Sequence, residues 1–96
     1  MNKGYWVARV NVDDTEAFKD YASRAKIAIE KFGGKYVTRG GKFFVMEGKH
    51  DFERNVIVEF SSIDKAKECY ASKEYQDAKS FRYSKADFNL IIIEGY

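Results

Sequence analysis

The sequence predicts an α+β fold in which a four-stranded antiparallel sheet follows the ferredoxin-like βαββαβ order. Three observations support this prediction. Residues 4–12 and 87–94 place apolar side chains at alternate positions, as strands do. Apolar residues between 14 and 32 recur at helical spacing. Serines and glycines stand between these segments, where helix caps and turns are expected.

Length and composition indicate a single globular domain. The chain has 96 residues, enough for a single hydrophobic core, so we expect one domain over residues 1–96. Charges of both signs are interspersed, and the formal net charge is only +2. This balance argues against disorder and against a surface built for nucleic acid.

The first two elements carry the clearest signals. In residues 4–12, Trp6 and Val10 point to one face and Tyr5 and Val7 to the other. Asp13, Asp14 and Thr15 then supply an N-cap for a helix from about 14 to 32. Gly33-Gly34 is expected to end that helix in a left-handed conformation.

The next segment is predicted to form a β-hairpin. Lys35–Arg39 and Phe43–Glu47 have strand composition, and Gly40-Gly41 between them can adopt the positive φ values of a primed turn. A polar loop over residues 48–54 then leads to the β-branched segment 55–60, which is typical of a central strand.

The last third of the chain is predicted to contain a split helix and a final strand. Ser61 and Ser62 can cap one helix, and Ser72 can start a second, short one. The strand Asp87–Glu94 closes the order β-α-β-β-β-α-α-β. This order is the ferredoxin-like plan with its middle strand extended or broken and its second helix divided.

Both faces of the predicted sheet carry apolar residues. The helices cover one face, while Tyr5, Val7 and Ile57, joined by Ile91 or Ile92 according to register, would lie on the open face. Soluble monomers seldom expose a large apolar patch, so we expect a homodimer packed through the sheet faces as a dimeric α+β barrel. The alternative is a set of scattered surface aromatics.

Short motifs are distributed along the whole chain: Gly4-Tyr5-Trp6, Arg39-Gly40-Gly41, Glu47-Gly48, Val58-Glu59-Phe60, Ser72-Lys73-Glu74-Tyr75-Gln76 with Arg82, and Ile93-Glu94-Gly95. Together they resemble the motifs of the DUF1330 family, a domain family of unknown function. The resemblance implies the dimeric α+β barrel superfamily, whose members include cofactor-independent monooxygenases, lactone isomerases, dehydratases, haem-dependent enzymes and ligand-sensing domains. It therefore implies a fold and no single reaction.

Two arginines are candidates for binding an anionic ligand. Arg39 stands beside Gly40-Gly41, where a backbone without Cβ atoms allows a ligand to come close. Arg82 lies seven residues after Tyr75 and should share its inward helical face, so Tyr75 would supply a flat wall and Arg82 the anchor. The alternatives are a solvated edge-strand Arg39 and an Arg82 paired internally with Glu59 or Asp87.

Two further residues are candidates for proton transfer. His50, the only histidine, lies in the polar loop and could act as an acid or base, or close over the ligand. Glu59 should face the dimer interface or a barrel cavity, where its pKa could rise. An exposed loop histidine and a structurally paired carboxylate are the respective alternatives.

Other classes of site and partner find little support. One histidine and one cysteine, Cys69, with no carboxylate cluster cannot build a closed metal site within one chain, and we expect no metal and no cofactor. The segment 39–46 only weakly resembles an RNA-binding strand motif, so we expect no nucleic acid. The absence of a leader or long apolar segment favours the cytoplasm over a membrane.

Three functions stay open on these observations. A small-molecule binding protein or enzyme, with a pocket between sheet and helices, agrees best with the aromatic residues and the two arginines. A structural or regulatory dimer without chemistry is the main alternative. An RNA-binding module is the third, and the sequence does not decide whether the protein is an enzyme.

Overall fold

Four strands and three helices make up the fold in a computed structural model that describes residues 2–96. In chain order they are β1 (Gly4–Val12), α1 (Thr15–Lys31), β2 (Lys35–Arg39), β3 (Arg54–Phe60), α2 (Ile63–Ala71), α3 (Lys73–Lys79) and β4 (Ala86–Glu94), with a 3₁₀ turn at Ser80–Arg82. The strands form one sheet in the order β2-β3-β1-β4, and every neighbouring pair is antiparallel. The ferredoxin-like prediction is confirmed.

The helices begin and end at the residues whose chemistry predicted them. The Asp14 side chain accepts a hydrogen bond from the Ala17 N–H at 3.1 Å, and Gly33 ends α1 with φ = 78°. Ser62 caps α2 and Ser72 caps α3 in the same way. The extended backbone of Ser72 separates the two helices, as the divided-helix prediction required.

The core lies between the helices and one face of the sheet. Trp6, Val10, Val58 and Phe60 are buried there, at 0–2% exposure. Because side chains alternate along a strand, the neighbouring residues point to the open face. The outward apolar residues are Tyr5, Val7, Ile57, Ile91 and Ile93. The register therefore places Ile91 on the open face and Ile92 on the helix side.

The hairpin prediction is wrong in its second strand. Phe43–Glu47 forms no strand, and β2 leads through an irregular segment over residues 40–53 directly to β3. Among residues 2–96, β2 pairs only with β3, so its other edge is not paired with Phe43–Glu47. Gly40 does have positive φ, 70°, but its N–H donates to the Asn55 carbonyl at 2.9 Å and extends the pairing with β3.

A β-bulge at Val37 changes the facing of the last residues of β2. Tyr36 pairs with Val58, but Thr38 pairs with Ile57 and Arg39 with Val56, so the register shifts by one residue. Val56 faces the helices, and Arg39 therefore does so too. Without the bulge, strict alternation would have placed Arg39 on the open face.

Candidate functional site

An apolar cavity of about 40 Å³ lies between the sheet and α1. Its walls come from α1 and from the helix-facing side of all four strands. The apolar lining residues are Trp6, Ala8, Phe18, Tyr21, Ala22, Ala25, Ile29, Tyr36, Val56, Val58, Phe88 and Leu90. By volume, the cavity has room for about two or three water molecules or one small substituent of a larger ligand.

Two arginines, Arg39 and Arg54, complete the lining. Arg39 Nη2 donates to the Ala22 carbonyl at 3.3 Å, and its guanidinium lies 4.6 Å from the Tyr36 ring centroid. The Arg54 guanidinium lies 5.6 Å from the Phe18 ring, and its Nε is buried without a hydrogen-bond partner. Among residues 2–96, no carboxylate lies within 4.0 Å of either guanidinium.

A wider cleft of about 500 Å³ adjoins the cavity. The two spaces share Phe18, Ala22 and Arg54, so Arg54 stands where they meet. Lys19 adds a second positive charge to the cleft, while the Glu53 carboxylate there accepts a hydrogen bond from the Val12 N–H at 3.1 Å. The described walls of the cavity and cleft thus carry more positive than negative charge.

Gly40 has a packing role beside Arg54. A Cβ at Gly40 would lie 2.4 Å from Arg54 Nη1, so a side chain there would displace the guanidinium. The predicted site residue Gly40 therefore lines the cleft, whereas Gly41 lies next to Thr38 and does not line the cavity or the cleft.

Tyr75 and Arg82 come together as their seven-residue spacing predicted, but behind the cavity wall. Tyr75 is fully buried, and Arg82 Nη2 donates to its hydroxyl at 3.4 Å. The Arg82 guanidinium lies 3.7 Å from the Phe88 ring and 5.0 Å from the Tyr21 ring, and both rings line the cavity. Neither Tyr75 nor Arg82 lines it.

The alternative of an internal ion pair for Arg82 is not observed. Among residues 2–96 it has no carboxylate within 4.0 Å, and its Nε is buried without a partner. Glu59 is excluded as a partner because it pairs with Tyr5 and faces away from the helices. Asp87 is exposed. Arg82 is instead stabilised by aromatic rings and one tyrosine hydroxyl.

In the single chain, the pKa of Glu59 shifts in the direction opposite to the predicted rise. Lys3 Nζ and the Tyr5 hydroxyl each donate to the Glu59 carboxylate at 3.2 Å. The hydrogen bond from Lys3, followed by that from Tyr5, holds the pKa of Glu59 below its usual value because both favour the charged form. Glu59 is a paired carboxylate on the open face of the sheet.

His50 also lies on the side of the open face, away from Arg39 and Arg82. Arg9, which points to that face, donates from Nη2 to His50 Nδ1 at 3.2 Å, and the Phe43 ring lies 4.6 Å from the imidazole. His50 lines neither the cavity nor the cleft. The prediction that His50 closes over the same ligand as Arg82 does not agree with this placement.

Sequence reasoning missed Arg54 and Tyr21 as site residues. Arg54 had been placed in the polar loop, although it precedes Val56, Val58 and Phe60 at a spacing of two. Extending that alternation by one step would have placed Arg54 on the helix side. Tyr21 is one of the residues between 14 and 32 that recur at helical spacing, but nothing in that pattern distinguishes a cavity wall from packed core.

Residues 3–96 match the sequence profile of a domain of unknown function, DUF1330. The chain belongs to the DUF1330 family. This match confirms the resemblance found in the motifs and covers essentially the whole chain. No curated protein matches the sequence significantly.

Solved structures with this fold include proteins of known and of unknown activity. The RPA0582 protein of unknown function from Rhodopseudomonas palustris has a TM-score of 0.78 at 21% identity, over 99% of this chain and 83% of its own. SnoaB from Streptomyces nogalater, a cofactor-independent oxygenase, has a TM-score of 0.64 at 10% identity, over 97% and 92%. A dimeric protein of unknown function and ferredoxin-like fold from Bacteroides fragilis has a TM-score of 0.64 at 11% identity, over 96% and 95%.

These identities establish a shared fold and not a shared activity. Within residues 2–96, no helix is both long and apolar enough to cross a membrane. In the same part of the chain, no three His, Cys, Asp or Glu residues are grouped as metal ligands would be.

Proposed function

We propose that this DUF1330 protein binds a small planar organic acid in the cavity and cleft between the sheet and α1. The observation that carries the proposal is the pair Arg39 and Arg54, which line an apolar cavity without carboxylate partners among residues 2–96. A buried cationic nitrogen without a hydrogen-bond partner is unfavourable, and Arg54 Nε is one. A carboxylate bound at the same guanidinium would offset that cost.

The chemistry of the walls selects the rest of the ligand. A guanidinium binds a carboxylate with two parallel hydrogen bonds, and this pairing is stronger at half-buried Arg54 than at exposed Arg39, because water is partly excluded there. The rings of Phe18 and Tyr36 lie beside the two arginines and offer flat apolar surfaces. Arg82 is the carboxylate anchor predicted from the sequence, but the residues that line the cavity separate Arg82 from it. Arg39 and Arg54 are therefore the better candidates for binding the carboxylate.

The first test of this function is a titration with planar carboxylic acids such as benzoate, monitored by calorimetry and by thermal shift. The wild type is expected to bind the acids and to bind the corresponding primary amides at least about tenfold more weakly, because the charge-assisted pair is lost. In the double variant Arg39→Gln/Arg54→Gln, the affinity for the acids is expected to be lower than that of the wild type by a factor of about 10 or more.

Arg24→Gln is the matched control for this experiment. Arg24 is an exposed arginine of α1 whose guanidinium lies 4.1 Å from the Phe81 ring, and it does not line the cavity or the cleft. The Arg24→Gln variant should bind the acids as the wild type does. If no acid in a broad library binds the wild type, or if both variants bind equally well, the proposal fails and a dimer without a ligand becomes the better interpretation.

We further propose that the protein is a homodimer joined through the open faces of two sheets. Val7 pairs with Ile57 on one side and Ile91 on the other, so the apolar residues form a continuous row across three strands. Ile91 and Ile93 are 55% and 49% exposed. The exposed ring of Phe43 lies beside His50 on the same side of the sheet and enlarges this surface.

Light scattering coupled to size exclusion tests the homodimer. The wild type should have twice the mass of one chain at micromolar concentration, and Ile91→Asp should weaken association by roughly 100-fold because a carboxylate would be buried without a partner. Ile27→Asp, on the exposed side of α1 at 68% exposure, is the control and should stay dimeric. A wild-type monomer at that concentration would refute the proposal.

A further inference from the structure

Three buried side chains behind the cavity carry more hydrogen-bond donors than acceptors. The hydroxyls of Tyr21 and Tyr75 lie 2.8 Å apart, and Arg82 Nη2 donates to Tyr75 at 3.4 Å. Arg82 is 9% exposed, Tyr21 6% and Tyr75 0%. Among residues 2–96, no carboxylate or carbonyl accepts a hydrogen bond from any of the three. The only acceptors in the cluster are therefore the two tyrosine oxygens, and one hydroxyl hydrogen is left without an acceptor among the described residues.

The direction of the hydroxyl–hydroxyl bond follows from the position of Arg82. An arginine can only donate, so the Tyr75 oxygen is the acceptor in that contact. A hydroxyl that accepts a bond from a cation becomes a stronger donor, since hydrogen bonds in a chain polarise one another. Tyr75 is thus the favoured donor to Tyr21, and the Tyr21 O–H is left without an acceptor among the described residues.

Tyr21 is also the only one of the three that lines the cavity. Burial, followed by the neighbouring Tyr75, raises the pKa of Tyr21 well above its usual range, and Arg82 opposes this rise only in part. The group therefore stays a neutral O–H donor throughout the physiological pH range. The Tyr21 side chain lines the cavity and its O–H lacks an acceptor among the described residues, so a ligand atom in the cavity can supply one.

We propose that Tyr21, oriented by Tyr75 and Arg82, donates a hydrogen bond to an acceptor oxygen on the part of the ligand that enters the inner cavity. This inference rests on the proposed acid-binding function and narrows its ligand class. Arg39 and Arg54 bind the carboxylate, and Tyr21 selects acids that carry a second, uncharged oxygen acceptor such as a carbonyl. Such an acid has a polar group at each end of a planar apolar body.

The test compares 4-acetylbenzoate with 4-isopropylbenzoate, and their 3-substituted isomers, by calorimetry. Acetyl and isopropyl groups are similar in shape, but only acetyl has an acceptor oxygen. The wild type should prefer an acetyl acid over its isopropyl counterpart by about tenfold, because the latter leaves the Tyr21 O–H unpaired. Tyr21→Phe should abolish that preference while keeping the wild-type affinity for the isopropyl acid.

Tyr70→Phe is the matched control, since Tyr70 lines neither the cavity nor the cleft and its hydroxyl accepts from Lys79 Nζ at 3.1 Å, outside the cluster. It should keep the preference for the acetyl acid. If the wild type binds both acids and Tyr21→Phe leaves their affinity ratio unchanged, the inference is wrong and the acid-binding function stands. If the wild type binds neither acid nor benzoate, both proposals fail together. A purely structural Tyr21 would change the two affinities equally, which also overturns the inference.

Discussion

Replacing Trp6 with alanine is expected to lower the free energy of unfolding by roughly 3–5 kcal/mol. Trp6 is 2% exposed, and its ring centroid lies 4.9 Å from that of Tyr75 and 5.2 Å from that of Phe60. Its Nε1–H donates to the Ala66 carbonyl at 2.9 Å, so the change would also remove a buried hydrogen bond. A domain of this size is stable by only about 5–15 kcal/mol, and the variant should be close to unfolding.

Urea denaturation at a single protein concentration measures this effect. Tyr83→Ala is the control, because it also removes an aromatic ring but from a residue that is 75% exposed. It should change the free energy of unfolding by no more than about 0.5 kcal/mol. A loss below about 1 kcal/mol for Trp6→Ala would contradict the central position that the structure gives to this ring.

Gly4→Ala is expected to destabilise the protein by about 2–4 kcal/mol through backbone overlap and a disturbed helix cap. A Cβ at Gly4 would lie 2.5 Å from Ile63 Cα and 2.6 Å from the Ser62 carbonyl oxygen. These are backbone atoms at the start of α2, so no side-chain rotation can relieve the contact. The helix would have to move away from β1, which would disturb the bond from Lys65 N–H to Ser62 Oγ.

Thermal and urea unfolding of Gly4→Ala should therefore both shift, with far-ultraviolet circular dichroism still showing a helical protein. Gly41→Ala is the matched control, since the nearest atom to its added Cβ is the Thr38 hydroxyl at 3.1 Å, which can rotate away. Its free energy of unfolding should stay within about 0.5 kcal/mol of wild type. Equal stability of the Gly4 variant and this control would show that α2 does not pack as described.

Local signals explain why most elements could be predicted from the sequence. Asp14, Ser62 and Ser72 bond to backbone N–H groups three residues away, so their effect is contained within a short segment. The alternation in β1 and β4 required no knowledge of neighbouring strands. The segment Phe43–Met46 shows the limit of this reasoning, because its strand composition would need a partner strand that the fold does not provide.

The candidate site was less predictable because it depends on contacts between distant residues. The helical spacing correctly predicts that Tyr75 and Arg82 lie together. The rings of Tyr21 and Phe88, which come from α1 and β4, lie between Arg82 and the cavity. The absence of a carboxylate near Arg82 and the hydrogen bonds that lower the pKa of Glu59 are likewise properties of the tertiary structure. No spacing within one segment encodes them.

The extra residue in β2 has a consequence for how related sequences should be compared. Arg39 faces the cavity only because the bulge residue Val37 adds one position to β2. The side of the sheet that Arg39 faces therefore depends on whether an odd or an even number of β2 residues precedes it. A one-residue deletion there would retain the arginine and yet turn it toward the opposite side of the sheet. Alignments of the family should therefore be judged by gaps within β2 as much as by the arginine itself.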